Sequence, residues 1–333
     1  MTATVGLVVN PAAGRDIRRL TGGASVSDNY AKRRTAGCAL AGLALAPEQT
    51  EVVVMPDGRG LARRIADDAP DGLPVDLLDV PIEGTAADTR RAARWFRSNA
   101  DAAVVLGGDG TNRDVAAEIG DVPVASVSTG TNNVVPAAVD GTVAGAAAGL
   151  VATGAVPAAE TTLRHGTVEA RVAGAGGERT VRGLATVGVL DRPFVGTRAI
   201  LDAEDFLGGA VSRAFPAEIG LSGVAGALAM HRPDDSGGVG LRFGPPDETP
   251  ETVRAITVPG VVERVGVAEW RRLDAEEPIR FEVPSGVVSA DGERELEIRD
   301  ATVEIRPVDA GPRLVEFDAV FERAAEDGHF SRG

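Results

Sequence analysis

Apolar and polar residues follow two different rhythms along the chain. In the first half, short apolar runs alternate with longer stretches of helical spacing. Strands are predicted over 4–9, 51–55, 75–80, 102–106 and 122–127, and helices over 31–45, 58–68, 86–96 and 112–119. A further helix is expected to begin at 132 and run to 139. Repeated strand–helix units build a parallel sheet with helices on both faces. From about Glu160 the rhythm shortens, and strands are predicted over 167–172, 180–189, 239–243, 252–258, 260–267, 279–283, 286–289, 296–299 and 302–306. The stretches 203–213 and 217–230 read as helices, and 314–325 reads as a helix able to return to the first half. The expected fold class is α/β: a Rossmann-like parallel domain over 1–150, a β-rich domain over 151–310, and a returning segment over 311–333. The boundary is placed in the Ala/Gly-rich stretch 145–159.

One turn stands out against this pattern. Gly107-Gly108-Asp109-Gly110-Thr111 follows the apolar run 102–106 and precedes a helical stretch. Bare backbone lets an anion approach, and the N–H groups of a helix start point at it, so the geometry suits phosphate. Asp109 would repel phosphate, so its presence calls for a metal ion or a hydroxyl to deprotonate. Ligands of parallel sheets bind at the carboxyl ends of the strands. Asn10-Pro11-Ala12-Ala13-Gly14 lies at such an end too, and Arg15, Arg18 and Arg19 follow it as cations for phosphate or as a solvated helix face.

Composition narrows the chemistry. The 333 residues carry 34 Lys and Arg against 49 Asp and Glu, a net charge of -15, and Lys32 is the one lysine. An acidic surplus almost without lysine suits a surface kept hydrated in high salt; an ordinary acidic protein from a GC-rich genome would show it too. Nonspecific nucleic-acid binding, which needs clustered positive charge, is not expected. The longest apolar stretches are too short to span a membrane, and residues 1–10 read as a strand rather than a signal peptide. A soluble cytoplasmic protein, and a homo-oligomer, is expected. The single Cys38, in an Ala/Gly/Leu-rich stretch, reads as a buried inert thiol. His165, His231 and His329 form no metal-binding spacing. With one lysine and no G-x-x-x-x-G-K-[ST], a P-loop is excluded. No G-x-G-x-x-G follows a strand and no G-x-S-x-G is present. What remains is phosphoryl transfer at a different glycine loop.

Gly107 to Thr111, with Asn10-Pro11-x-x-Gly14, resembles the superfamily of NAD kinases and diacylglycerol and sphingosine kinases. Gly110-Thr111-Asn112-Arg113-Asp114-Val115, Asp291-Gly292-Glu293-Arg294-Glu295 and the C-terminal tail are similar to the ATP-NAD kinase/AcoX-like branch. The resemblance implies ATP in a cleft between two domains, with Mg2+, and an acceptor hydroxyl beside it. The favoured acceptor is the ribose 2′-hydroxyl of NAD, giving NADP. A lipid or small polyol, or a nucleotide-binding regulator without catalysis, is the alternative. Asp109 is then the candidate to activate the acceptor or organise Mg2+. Asn10, Gly14, Gly107, Gly108, Gly110, Thr111 and Asn112, with Thr129, Gly130, Thr131 and Asn132 of a second turn, are the candidate nucleotide and phosphate contacts. Asp291 and Glu293 are candidates for the acceptor or metal side. Asn112 alternatively reads as a helix cap, and Arg113 and Asp114 as helix-surface residues. Asn133 stands where the lipid kinases carry Asp, and Val134-Val135-Pro136 stands where typical NAD kinases carry a Leu-Gly-Phe-Leu-like segment.

Overall fold

The computed structural model describes residues 2–11, 28–46, 48–130, 133–174, 176–191 and 205–331. Gly14, Thr131 and Asn132 of the candidate site lie outside these residues, as do Arg15, Arg18 and Arg19.

The first part of the chain runs β1 (Ala3–Val9), α1 (Asn29–Gly42), β2 (Thr50–Val54), α2 (Leu61–Asp67), β3 (Val75–Leu77), α3 (Ala86–Asn99), β4 (Ala102–Gly107), α4 (Asp109–Ala116), β5 (Val124–Ser128), α5 (Gly141–Ala152), α6 (Ala158–Thr161) and β6 (Thr162–Arg164). The second part runs β7 (Thr167–Gly174), β8 (Gly177–Gly183), β9 (Thr186–Leu190), β10 (Phe206–Val211), α7 (Leu221–Leu228), β11 (Gly238–Gly244), β12 (Glu251–Val258), β13 (Val261–Leu273), β14 (Ile279–Ala290), β15 (Glu293–Val308), β16 (Arg313–Val315) and α8 (Phe317–Glu326).

Two sheets result. The first is ordered β3-β2-β1-β4-β5-β16-β6, and its first five strands are parallel. Their near-continuous Val, Ala and Leu runs suit strands buried on both faces. One face packs against α1, α2, α5 and α8 through Leu40, Ile65, Leu150 and Val320. The other packs against α3 and α4 through Phe96, Val115 and Ile119. The chain thus returns to the first sheet at its end: Leu314 of β16 pairs beside Val124, and α8 buries Val320 and Ala324 in the same core as β1. The second sheet is antiparallel, ordered β12-β13-β11-β10-β9-β14-β15-β7-β8.

Several local expectations change. The stretch 145–159 is mostly occupied by α5, a packed helix of the first core. Its small residues let it press on α1: a Cβ on Gly145 would sit 1.8 Å from the Ala39 carbonyl oxygen. Residues 133–139 are not helical; Ala137 forms a parallel bridge with Val127 instead. The described part of 203–213 holds strand β10, which β9 and β11 flank on both sides. Cys38 is exposed, on the outer side of α1, and not buried.

Candidate functional site

The order β3-β2-β1-β4-β5 reverses the direction of winding between β1 and β4. In open parallel sheets the crevice at such a reversal is where ligands bind. Val9 of β1 faces Leu106 of β4, and Gly107 faces Ser128 of β5. Asn10, the glycine turn and the turn after Ser128 therefore emerge side by side. Asn10 Nδ2 donates to Thr111 Oγ1 at 3.1 Å, tying the first strand end to the glycine turn.

Helix α4 begins at Asp109, three residues before the predicted start, with Gly108 as its cap. Asp109, Gly110 and Thr111 thus form the first helical turn, whose N–H groups have no acceptor within the helix. Asn112 is not the cap. It is buried, its Nδ2 donates to the Gly108 carbonyl at 3.0 Å, and its Oδ1 accepts from Ser126 Oγ at 2.6 Å. Its side chain fastens the turn to β5 from behind.

Asp109 is buried at the helix start, where a carboxylate opposes the positive end of the dipole. Its Oδ2 accepts from Val134 N and its Oδ1 from Val135 N, both at 2.9 Å. Asn133 completes the join: its Oδ1 accepts from Asp109 N at 3.3 Å, and its Nδ2 donates to Ser128 Oγ at 2.7 Å and to the Gly130 carbonyl at 3.2 Å. Thr129 N donates to the Gly107 carbonyl at 3.3 Å. The two turns are one hydrogen-bonded unit, and the Asn at 133 has a role an Asp could not fill, since it both accepts and donates.

The Asp-Gly-Glu segment arrives from the other sheet. Asp291 and Gly292 form the two-residue link between β14 and β15, with φ of 49° and 78°. Two positive φ values in a Asp-Gly pair are what a tight hairpin of this kind requires. Asp291 does not face the glycine turn. It is buried, and its carboxylate accepts from Leu184 N at 2.7 Å, Ala185 N at 2.8 Å and Thr186 N at 3.0 Å. Burial pushes its carboxyl upward, opposed by Arg113 and those three amides. Glu293 does face the turn: a Cβ on Gly110 would stand 2.9 Å from its Oε1. Its side chain is half exposed.

Arg113, one helical turn beyond Asp109, joins the two parts. Its guanidinium donates to the Ala290 carbonyl at 2.7 Å and to Glu293 at 3.0 Å, and pairs with Glu295 and, at 3.7 Å, with Asp291. Only 12% of this side chain is exposed, so it is not the surface residue expected. Asp114 is buried too, paired with Arg90 at 2.8 Å, and burial pushes its carboxyl up against the pull of that arginine. The spacing from Asp109 to Arg113 was the available sign, since residues four apart share a helix face. Among the described residues, no three His, Cys, Asp or Glu side chains are grouped to hold a metal ion.

The chain is similar to known proteins in a way that follows this two-part construction. Residues 5–155 match the ATP-NAD kinase N-terminal domain, and residues 167–310 match the Acetoin catabolism protein X C-terminal domain. Over 308 residues the chain is 39% identical to Acetoin catabolism protein X of Cupriavidus necator, covering 88% of this chain and 84% of that protein. The chain belongs to the acetoin catabolism protein X family. In this member of the family the glycine turn lies in the first matched region and the Asp-Gly-Glu hairpin in the second. Yeast NADH kinase complexed with NADH has the same fold, with a TM-score of 0.53 at 14% identity, covering 100% of this chain and 89% of that one. A diacylglycerol kinase from Bacillus anthracis aligns with a TM-score of 0.40 at 14% identity, over 96% of this chain and 98% of that one.

Proposed function

We propose that this chain is an ATP-dependent phosphotransferase that phosphorylates a hydroxyl, the 2′-hydroxyl of NAD first among acceptors. One observation carries the reading: at the winding reversal of the parallel sheet, the first turn of α4 meets a half-exposed carboxylate, Glu293, delivered by the other sheet. A phosphate-binding turn and a proton acceptor at one place are the two needs of phosphoryl transfer to an alcohol. The match of residues 5–155 to the ATP-NAD kinase N-terminal domain, and the fold shared with yeast NADH kinase, support a nicotinamide nucleotide as acceptor.

The chain's groups divide the work. The Gly110 and Thr111 amides in the first turn of α4 hold the donor phosphates. Asp109 and Asn133 keep the two turns locked, so those amides do not need to reorganise during transfer. Glu293 takes the acceptor's proton as the acceptor oxygen bonds to the γ-phosphorus. The bond from that phosphorus to the bridging oxygen breaks, and ADP leaves with the electron pair. Mg2+ favours phosphate oxygens and water, with one or two carboxylates rather than a full protein cage. Glu293, half exposed beside the first turn of α4, is the carboxylate able to join it. When bound with ATP, the ion would supply neutralising charge.

Acetoin, named in the Cupriavidus necator relative, also carries a hydroxyl and is the second acceptor to consider. The test is to incubate purified protein with Mg-ATP and NAD, NADH, acetoin, a polyol or diacylglycerol in molar KCl, then weigh the products. NADP is expected. Phosphorylation of another acceptor would replace NAD and keep the transferase; no product from any acceptor would overturn the reading.

A further inference from the structure

The hairpin that carries Glu293 is not a regular ladder. Ala290 pairs with Glu293 and Ser289 with Arg294, but Val288 pairs with Leu296. Glu295 is therefore an extra residue on β15 with no partner on β14, a β-bulge. A bulge gives up part of the ladder and re-aims a side chain, and bulges gather beside active sites for that reason. This one stands two residues from the carboxylate proposed as the base.

The bulge delivers a second carboxylate to Arg113. Nη1 of that guanidinium is taken up by the hairpin: it donates to the Ala290 carbonyl at 2.7 Å and lies 3.7 Å from Asp291 Oδ2. Nη2 carries two hydrogens and has two acceptors, Glu293 Oε2 at 3.0 Å and Glu295 Oε1. Asp114, the next residue of α4, is paired with Arg90 instead.

This sharing makes the two oxygens of Glu293 unlike. Both lie against the first turn of α4, 2.9 Å and 3.0 Å from where a Gly110 Cβ would stand. Oε2 is tethered to Arg113, while Oε1 accepts no hydrogen bond from a described residue. Arginine favours gripping a carboxylate by both oxygens, through two parallel N–H bonds. That grip would close the oxygen left open beside the turn. Glu295 opposes it by holding the second hydrogen of Nη2.

We propose that Glu295 is a positioning residue for Glu293. By sharing Arg113, it keeps the guanidinium on one oxygen of Glu293 and leaves Oε1 open to the acceptor hydroxyl. This rests on the reading of Glu293 as the group that meets the acceptor, and it adds a residue that acts only through Arg113.

Glu295→Gln tests it, because the amide is close in shape but has no charge to hold the guanidinium. With γ-labelled ATP and the acceptor used by the wild type, kcat is expected to fall about tenfold, the scale of a misplaced catalytic group. KM for ATP should stay within about twofold of the wild type, since the donor site is untouched. The thermal midpoint should hold. Glu295→Asp keeps the charge and should recover most of the lost kcat. A crystal structure of Glu295→Gln should show Arg113 bonded to both oxygens of Glu293. An unchanged kcat, or Oε1 still unbonded in that crystal structure, would overturn the role of Glu295 and leave Glu293 standing as the base. A variant that fails to fold, or whose midpoint drops along with kcat, would show a structural role and overturn the proposal too. No transfer by the wild type to any acceptor would overturn both readings.

Discussion

The carboxylate of Glu293 lies against the backbone of Gly110, close enough that a Cβ on that glycine would stand 2.9 Å from Glu293 Oε1. Gly110 belongs to helix α4 beside the first sheet and Glu293 to β15 of the second, and the hairpin at Asp291 and Gly292 brings them together. Gly110→Ala should therefore separate stability from activity. The atom in the way is the end of a flexible, half-exposed side chain, so it can swing aside. The helix gains up to about 1 kcal/mol of propensity from the change. The thermal midpoint is expected to hold or rise, while turnover falls by about tenfold or more because the carboxylate has been moved. Melting curves and initial rates on the same preparation check both halves.

Arg113 is the fastener of the hairpin, and its loss should be felt in both stability and chemistry. Arg113→Met removes the cation beside the buried Asp291 and frees Glu293 and Glu295. Removing one member of a buried ion pair typically costs about 3 kcal/mol or more. Denaturant unfolding should show a loss of that order, and Asp291→Asn added to Arg113→Met should recover part of it. The exposed pair Arg33 and Asp68 gives the comparison, since breaking a solvent-screened surface pair should leave the unfolding midpoint nearly where it was.

His165 supplies a pH dependence. It is fully buried, its Nδ1 bonds the Gly166 carbonyl, and its Nε2 has no partner among the described residues. Burial lowers its pKa from 6.5 to about 4. Between those values the unfolded chain takes up a proton that the folded chain refuses, so stability falls as the pH falls from 6.5 towards about 4. By pH 5 the loss from this group should reach about 2 kcal/mol. His165→Asn keeps a donor near Gly166 and removes the titration. The difference between the two stability profiles should flatten above pH 6.5 and slope by one proton below it.

Much of this arrangement was legible in the sequence, and the departures have physical causes. The strand before Gly107 was visible because a strand buried on both faces is apolar throughout. The hairpin at Asp291 and Gly292 has a local signal, since Asp-Gly is the pair that tolerates two positive φ values. The start of α4 was misplaced because glycine is a poor helix former, and here the lock between Asp109 and Val134 and Val135 fixes the helix start instead. Residues 133–139 do not become a helix because Pro136 disfavours helical backbone at Val135, and Ala137 exchanges backbone hydrogen bonds with Ser126 and Ser128 of β5 instead. Residues 206–211 became a strand because β9 and β11 flank them, a pairing at long range that local spacing does not encode. Asp291 reads in the sequence as a candidate for the acceptor or metal side, and the three amides that take its carboxylate come from residues 184–186, far away in sequence.

Following the γ-phosphate tests the central claim most directly. With γ-labelled ATP, Mg2+ and NAD in molar KCl, label should leave ATP and appear in NADP with the wild-type protein. Glu293→Gln should bind ATP as the wild type does and transfer label about a hundredfold more slowly, the scale of a lost general base. Label that stays on bound ATP with every acceptor tried, or transfer that is undiminished in Glu293→Gln, would contradict the account.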